Sequence, residues 1–360
     1  MQYEDVIQSI PDELPEIKQL LNDNQQQQHY KQEGNIQIIY LPESHKVESI
    51  LQAARDLVLY FATHVPGEIA KSAPQRAIIY LALTEIDKTF PEKGQPFTEK
   101  NMNTGHCIFP GGNVEEGGTG YIVIYRMQEW KKVLLHELFH WSGLTVSENP
   151  KSNVSLPVRY AEGGKKLSNG VDWTESLVEL SASVLYQHYI RGLKKIGDDT
   201  SNWAEDYAKA ASEYLERAIG WLLHTLGPRG KQNGPGYLYL KWLFWTKVRD
   251  EGNFRRCVEW LTERIWRKKL ARKEPIMVSL DIKLFLLDGK EEKWPELSYD
   301  HWRWEDSNVG NWVMEKELEA KRWQYGGATT NSKRMKLRRR RQSRMRRMKV
   351  YWLRRSRKTR

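Results

Sequence analysis

The chain has 360 residues, 39% hydrophobic and 29% charged, with 15 tryptophans and with 57 Lys and Arg against 46 Asp and Glu, a formal net charge of +11. So many aromatics exclude a wholly disordered chain. The longest clean apolar run, Ala77 to Leu83, falls far short of the roughly 20 residues that span a bilayer, and the opening Met-Gln-Tyr-Glu-Asp lacks the basic and apolar regions of a secretory signal.

In chain order, residues 1–34 carry Gln25-Gln26-Gln27-Gln28 among Asn and Asp, which predicts a polar lead-in with room for one short helix. From Lys46 to Thr63, Val47, Ile50, Leu51, Ala54, Leu57 and Val58 recur at three-and-four spacing, an amphipathic helix. Arg76 to Leu83 is short, β-branched and bounded by turn residues, which predicts a buried strand. Residues 91–120 are rich in Pro, Gly and Asn and predict loop and edge structure. The glycines at 111–120 lack the Lys-Ser/Thr of a phosphate loop and are read as plain turns. Residues 121–125 predict a second strand running into a helix that begins near Gln128, followed by a Gly- and Ser-rich connection over 143–170. Helical patterns then cover about 172–190, 202–226, 236–249 and 253–271. Cys107 and Cys257, the two cysteines, form no metal-type pair, which excludes a disulfide scaffold and a cysteine zinc finger and suits a reducing compartment.

The helix after the second strand carries His136-Glu137-Leu138-Phe139-His140. Positions i and i+4 share a helix face, so both imidazoles can reach one ion. Zn²⁺ takes imidazole nitrogen readily, and a catalytic site needs three protein ligands plus water. Glu137 is rotated about 100° from His136 around the helix. It is placed to take a proton from the attacking water and deliver it to the leaving amine. Two ordinary histidines on one helix would give the same five letters, so the third ligand decides the class. A metzincin needs His at 146, where Val146 stands. Glu175 and Glu179 lie four apart on a later helix that Leu177, Val178, Leu180 and Ala182 make apolar nearly all round. Buried acids need a partner, and a cation supplies one. Glu175 is assigned as the third ligand and Glu179 as the acceptor that fixes the tautomer of a liganding histidine, with the swap between them open. Asp172, Glu148 and His188 are outside candidates. Tyr160, Tyr186, His188 and Tyr189 are available as transition-state donors, and the spacing does not choose among them.

The run Ile122 to Arg126, Glu129-Trp130, Lys132-Val133 and His136 to His140 resembles zincin-like metallopeptidases encoded by large DNA viruses. Asn103-Thr104-Gly105 upstream and Thr174-Glu175 with Glu179 downstream are similar to the same family. More distantly, His-Glu-x-x-His-Trp-Ser-Gly with Glu175-Ser-Leu-Val-Glu179 resembles the metallopeptidase domain of ArdC-type antirestriction proteins. The resemblance covers about 76–226 and implies a glutamate-type zincin acting on protein or peptide. The single-stranded-DNA-binding domain of the ArdC type has no counterpart here.

Two further features concern nucleic acid. Trp242, Trp245, Trp260 and Trp266 fall on helical patterns rich in Arg and Lys; core packing under long cationic side chains explains this better than base stacking. Residues 331–360 hold 16 Lys and Arg and no acid; removing these from the 57 leaves 41 basic against 46 acidic residues, a body of net −5. Such a run of like charge needs an anionic partner, nucleic acid or a nuclear-import receptor, with Arg338, Arg339, Arg340, Arg341, Arg344, Arg346 and Arg347 as its densest part.

The expectation is an α+β fold: a polar lead-in (1–34), a zincin-like catalytic domain of a small sheet, an active-site helix and a glutamate helix (35–227), a helical Trp-rich region (228–330), and a disordered basic tail (331–360). The expected function is a zinc-dependent metallopeptidase, intracellular, cytoplasmic or nuclear and compatible with a virion, held near nucleic acid by its tail. The competing expectation is a non-catalytic nucleic-acid-binding or packaging protein on the same scaffold.

Overall fold

The computed structural model describes residues 3–12, 14–23, 29–33, 36–40, 47–65, 76–84, 104–108, 119–127, 129–142, 156–162, 165–171, 173–192, 203–226, 234–266, 285–286 and 297–298. The fold is α+β. Strands β1 (His29–Glu33), β2 (Ile36–Tyr40), β3 (Arg76–Thr84), β4 (Gly105–Ile108) and β5 (Thr119–Arg126) form one mixed sheet in the order β1-β2-β3-β5-β4. β2, β3 and β5 run parallel, with Ile38 opposite Ile79 and Ile79 opposite Ile122, while β1 and β4 are antiparallel edges.

Alternation along the central strands assigns each side chain to one of two layers, because successive residues point to opposite faces. Ile38 and Tyr40, Ala77, Ile79, Leu81 and Leu83, and Ile122 and Ile124 face the larger core; Ile39, Tyr80, Ala82, Tyr121, Val123 and Tyr125 face the smaller one. Both faces are covered, which is why β3 and β5 are almost continuously apolar instead of alternating with polar residues.

The smaller layer corrects the expected lead-in. Residues 3–23 form two short helices, α1 (Tyr3–Ser9) and α2 (Pro15–Asp23), whose Val6, Ile7, Ile10, Leu14, Ile17 and Leu21 are buried on the sheet. Six apolar residues scattered among Gln, Asp and Glu suffice to cap a sheet face. Runs of seven and nine residues are too short for periodicity to stand out.

The larger layer holds α3 (Val47–His64) and α4 (Trp130–Trp141) against the sheet, with α5 (Trp173–Arg191), α6 (Trp203–Leu226) and α7 (Gly234–Glu251) behind. A short α8 (Phe254–Glu259) continues into a π-helical segment, Trp260–Trp266. Helices α7 and α8 and the π-helical segment share this core: Trp242, Trp245, Trp260 and Trp266 are all buried in it beside residues of α3, α4 and α5. Base stacking by these four rings is therefore set aside. Between α4 and α5, where a Gly- and Ser-rich connection was expected, β6 (Leu156–Glu162) and β7 (Lys165–Val171) form an antiparallel hairpin that β8 (Leu297–Ser298) joins in parallel. β6 carries a short apolar alternation, Leu156, Val158 and Tyr160, but β7 is mostly polar with Gly170 inside it, and the surrounding Gly and Ser mask the pair in the sequence. Among the described residues no helix is long and apolar enough to cross a membrane. The expected disordered tail, 331–360, lies outside the described residues.

Candidate metal centre

Helix α4 leaves β5 through one tight turn. Met127 N–H donates to Thr84 O at 2.8 Å and the Thr84 hydroxyl to Tyr125 O at 2.9 Å, tying the ends of β3 and β5 together. Glu129 then adopts φ 58°, the left-handed region that ordinary residues visit at a cost, and Val133 N–H donates back to its carbonyl at 3.0 Å. The helix is buried on several sides: Leu134, Leu135, Leu138 and Phe139 are wholly enclosed, and His136 and Glu137 are buried with them. Strand β4 lies alongside. A Cβ at Gly105 would come within 2.7 Å of Val123 O and 3.2 Å of the Val133 side chain, so only glycine allows this approach. Two residues on, the Cys107 thiol is raised well above its ordinary range by burial and by the nearby Glu137 carboxylate. Glu137 is therefore within electrostatic reach of the β4 strand.

The two histidines converge. His136 Nε2 and His140 Nε2 are 3.0 Å apart, their rings 4.8 Å between centroids. A nitrogen pair sharing one tetrahedral ion at 2.0–2.1 Å would be about 3.3 Å apart, a few tenths of an ångström wider. His136 Nδ1 lies 3.1 Å from Glu179 Oε2 on α5. A carboxylate can only accept, so Nδ1 carries the hydrogen. One Nε2 donates to the other across the 3.0 Å gap, a contact that a shared ion would replace. The donor set fits zinc: two imidazole nitrogens aimed at one point, one of them backed by a carboxylate.

Glu179 lies on the Nδ1 side of His136 and is fully buried. Its Oε1 accepts from Lys132 Nζ at 2.9 Å, Lys241 Nζ at 2.8 Å and the Ser183 hydroxyl at 3.4 Å. Burial works to raise its proton affinity, yet Lys132, Lys241 and His136 hold it well below the usual carboxylate range. Lys241 is itself pushed down by burial, against the pull of Glu179. Tyr207, on α6 within the electrostatic reach of Lys132 and Glu179, is raised to about 12 by burial. This geometry suits Glu179 to orient His136; an ion between the two Nε2 atoms would lie on the far side of that ring.

Glu175 stands on α5 one helical turn before Glu179, with its side chain outside the described residues. Among the described residues no three His, Cys, Asp or Glu side chains close a complete metal site. Asp172, Glu148 and the tail arginines also lie outside the described residues, as does the side chain of Tyr160. His188 is nine positions beyond Glu179, about 13 Å farther along the helix. It is buried against Phe254, 5.5 Å between rings, and lowered to about 4 by burial, with His64 and Arg191 adding to the shift. Tyr186 and Tyr189 stack on each other, and Tyr189 meets Tyr60 edge-on. His106 is on the other side of the sheet, 3.0 Å from the Ser9 hydroxyl of α1. Lys241 is the participant that sequence reasoning missed. A lysine 62 positions from its carboxylate on a Trp-rich helix carries no local signal of burial.

No protein-family model matches the chain, and searches of curated proteins and of solved structures found no match either.

Proposed function

We propose that the chain is a zinc-dependent metallopeptidase of the glutamate zincin type. The observation that carries this reading is the convergence of His136 Nε2 and His140 Nε2 at 3.0 Å with His136 Nδ1 tied to the buried Glu179. His136, His140 and Glu175 would hold Zn²⁺, which when bound acidifies water and polarises the peptide carbonyl. Glu137 accepts the proton of the attacking water on its carboxylate and passes it to the departing amine nitrogen as the C–N bond breaks. The motif helix packs against β4, the edge strand of the described sheet, so an extended peptide pairing with β4 as an added strand would run beside the helix that carries Glu137.

The basic run 331–360 adds a second component: electrostatic attachment to nucleic acid or to a nuclear-import receptor, placing the peptidase in the cytoplasm, the nucleus or a virion. It rests on 16 cationic and no acidic side chains in 30 residues. If six to ten phosphates are contacted, affinity falls about 10³–10⁵-fold between 50 and 200 mM salt.

The deciding experiment is metal content by plasma mass spectrometry for the full chain and for His136→Ala, followed by a protein-cleavage screen with Glu137→Gln as reference. About one zinc per chain, lost in His136→Ala, with cleavage that Glu137→Gln abolishes while retaining zinc, is the expected result. A chain that stays zinc-free after reconstitution overturns the peptidase reading and leaves the tail's nucleic-acid binding as its activity.

A further inference from the structure

We infer that Lys132 and Lys241 are positioning residues for His136: together they pin one oxygen of Glu179 so that the other is aimed at the imidazole Nδ1–H. The inference rests on the proposed metal site and adds a function for the helix that carries Lys241.

The argument begins with what a lone carboxylate at this place would do. Rotation about the last side-chain bond exchanges Oε1 and Oε2, and a single neutral imidazole donor does little to resist it. Here Oε1 accepts two charge-assisted hydrogen bonds, at 2.9 Å from Lys132 and 2.8 Å from Lys241, while Oε2 faces His136 Nδ1 at 3.1 Å. The two ammonium groups come from different directions. Lys132 is on α4, one turn before His136, and Lys241 is on α7 behind the site. Three helices thus converge on one carboxylate, and its plane is fixed by anchors that move with the helices themselves. Ionised hydrogen bonds of this kind are about twice as strong as neutral ones.

Charge balance supports the same conclusion. Lys132 is also 3.7 Å from Glu129, so these two lysines meet two acids. Charges paired in this way beside the two histidines can be buried without opposing an ion. A bare Glu179 would leave an uncompensated buried charge, and a third lysine would repel the metal. The lysines therefore serve more than packing: they let a carboxylate stand fully buried behind a ligand with its orientation set.

The test compares full-length wild type with Lys241→Met, Glu179→Gln and the Lys241→Met/Glu179→Gln pair, with Lys132→Met as a second probe from another helix. The first readout needs no metal. In a chain labelled with ¹⁵N-histidine at about pH 9, well above the ordinary histidine range, the His136 Nδ1–H signal is expected to be sharp and slow to exchange. In Lys241→Met and in Lys132→Met its exchange should be at least about tenfold faster, as for a loosened hydrogen bond. The second readout is zinc affinity by competition with a chromophoric chelator. Each lysine variant should bind about 10–100-fold more weakly, the usual effect of losing a partner behind a ligand. Lys241→Met should add less than about twofold in the Glu179→Gln background, because its effect passes through that carboxylate. A merely structural lysine would cost the same in both backgrounds.

Unchanged Nδ1–H exchange in folded Lys241→Met and Lys132→Met overturns the inference, as does a loss that adds fully to Glu179→Gln. Should Lys241→Met alone fail to fold, the charge-balanced double variant and Lys132→Met carry the same comparison. A wild-type chain that shows the protected Nδ1–H yet binds no zinc overturns the peptidase reading and leaves the clamp standing, so the two failures are told apart.

Discussion

The two faces of the central sheet are built from different materials. On one, α1 and α2 lay six aliphatic side chains on Ile39, Tyr80, Val123 and Tyr125, and the polar link across that layer is Ser9 with His106. On the other, α4, α5 and α7 bring Lys132, Glu179, Lys241 and His136 together within a much larger apolar core. The first face is held mainly by apolar burial. The second buries charges that burial by itself disfavours, and so many compensating contacts around one carboxylate point to a task beyond stability. Histidine is found on both sides, but among the described residues a ring nitrogen backed by a carboxylate is found on the second.

The largest expected effect tests that difference directly. Glu137→Gln should lower peptide hydrolysis at least about 100-fold, the lower end for removing a general base, while zinc content and thermal midpoint hold; cleavage at the wild-type rate would remove Glu137 from its role. Next, Glu179→Leu leaves the Lys132 and Lys241 ammonium groups buried without their anion. It should cost about 3–5 kcal/mol in urea unfolding, and a loss under 1 kcal/mol would show the network to be solvated. On the opposite face, Ile17→Ala removes fully buried aliphatic volume and should cost about 2–5 kcal/mol with no change in zinc affinity. A change in metal binding there would erase the contrast.

Acid stability sharpens the comparison further. His188 is lowered from 6.5 to about 4 in the folded chain, so the unfolded chain binds the extra proton first as pH falls. Its stabilising contribution is complete above about pH 6.5 and is lost progressively towards pH 4, up to about 3 kcal/mol. Urea midpoints measured across that window should fall less steeply in His188→Phe; parallel curves would show that His188 is not the group responsible. The smallest effect is at the sheet edge. Gly105→Ala should cost about 1–3 kcal/mol, because the new methyl meets the Val123 carbonyl.

Much of this was legible in the residue pattern, for identifiable reasons. The helix at 47–64 and the strands at 76–84 and 119–126 follow from periodicities of 3.6 and of continuous burial, and the convergence of His136 with His140 follows from i, i+4 spacing. That an acid from the helix at 173–191 would meet a histidine was also visible, because an apolar helix with two glutamates on one face must neutralise them. Other parts were hidden. Helices of seven and nine residues are too brief to show a period, and the hairpin at 156–171 pairs a seven-residue strand of brief apolar alternation with a mostly polar one. Lys241 looked like any surface lysine, since nothing near it in the chain announces a partner 62 positions away.

The π-helical segment ends on Trp266, whose indole donates to Ser181 on α5 at 2.9 Å and whose ring lies 5.2 Å from Phe139 on α4. That single side chain bolts together the two helices on which His136 and Glu179 stand. During synthesis at about 5–20 residues per second, the motif helix leaves the ribosome several seconds before the bolt is made. Lys241 and Trp266, which brace the histidines of that helix and Glu179, are thus synthesised after the residues they hold. A chain truncated before Trp266 would keep the motif and lose the contact that ties its helix to α5.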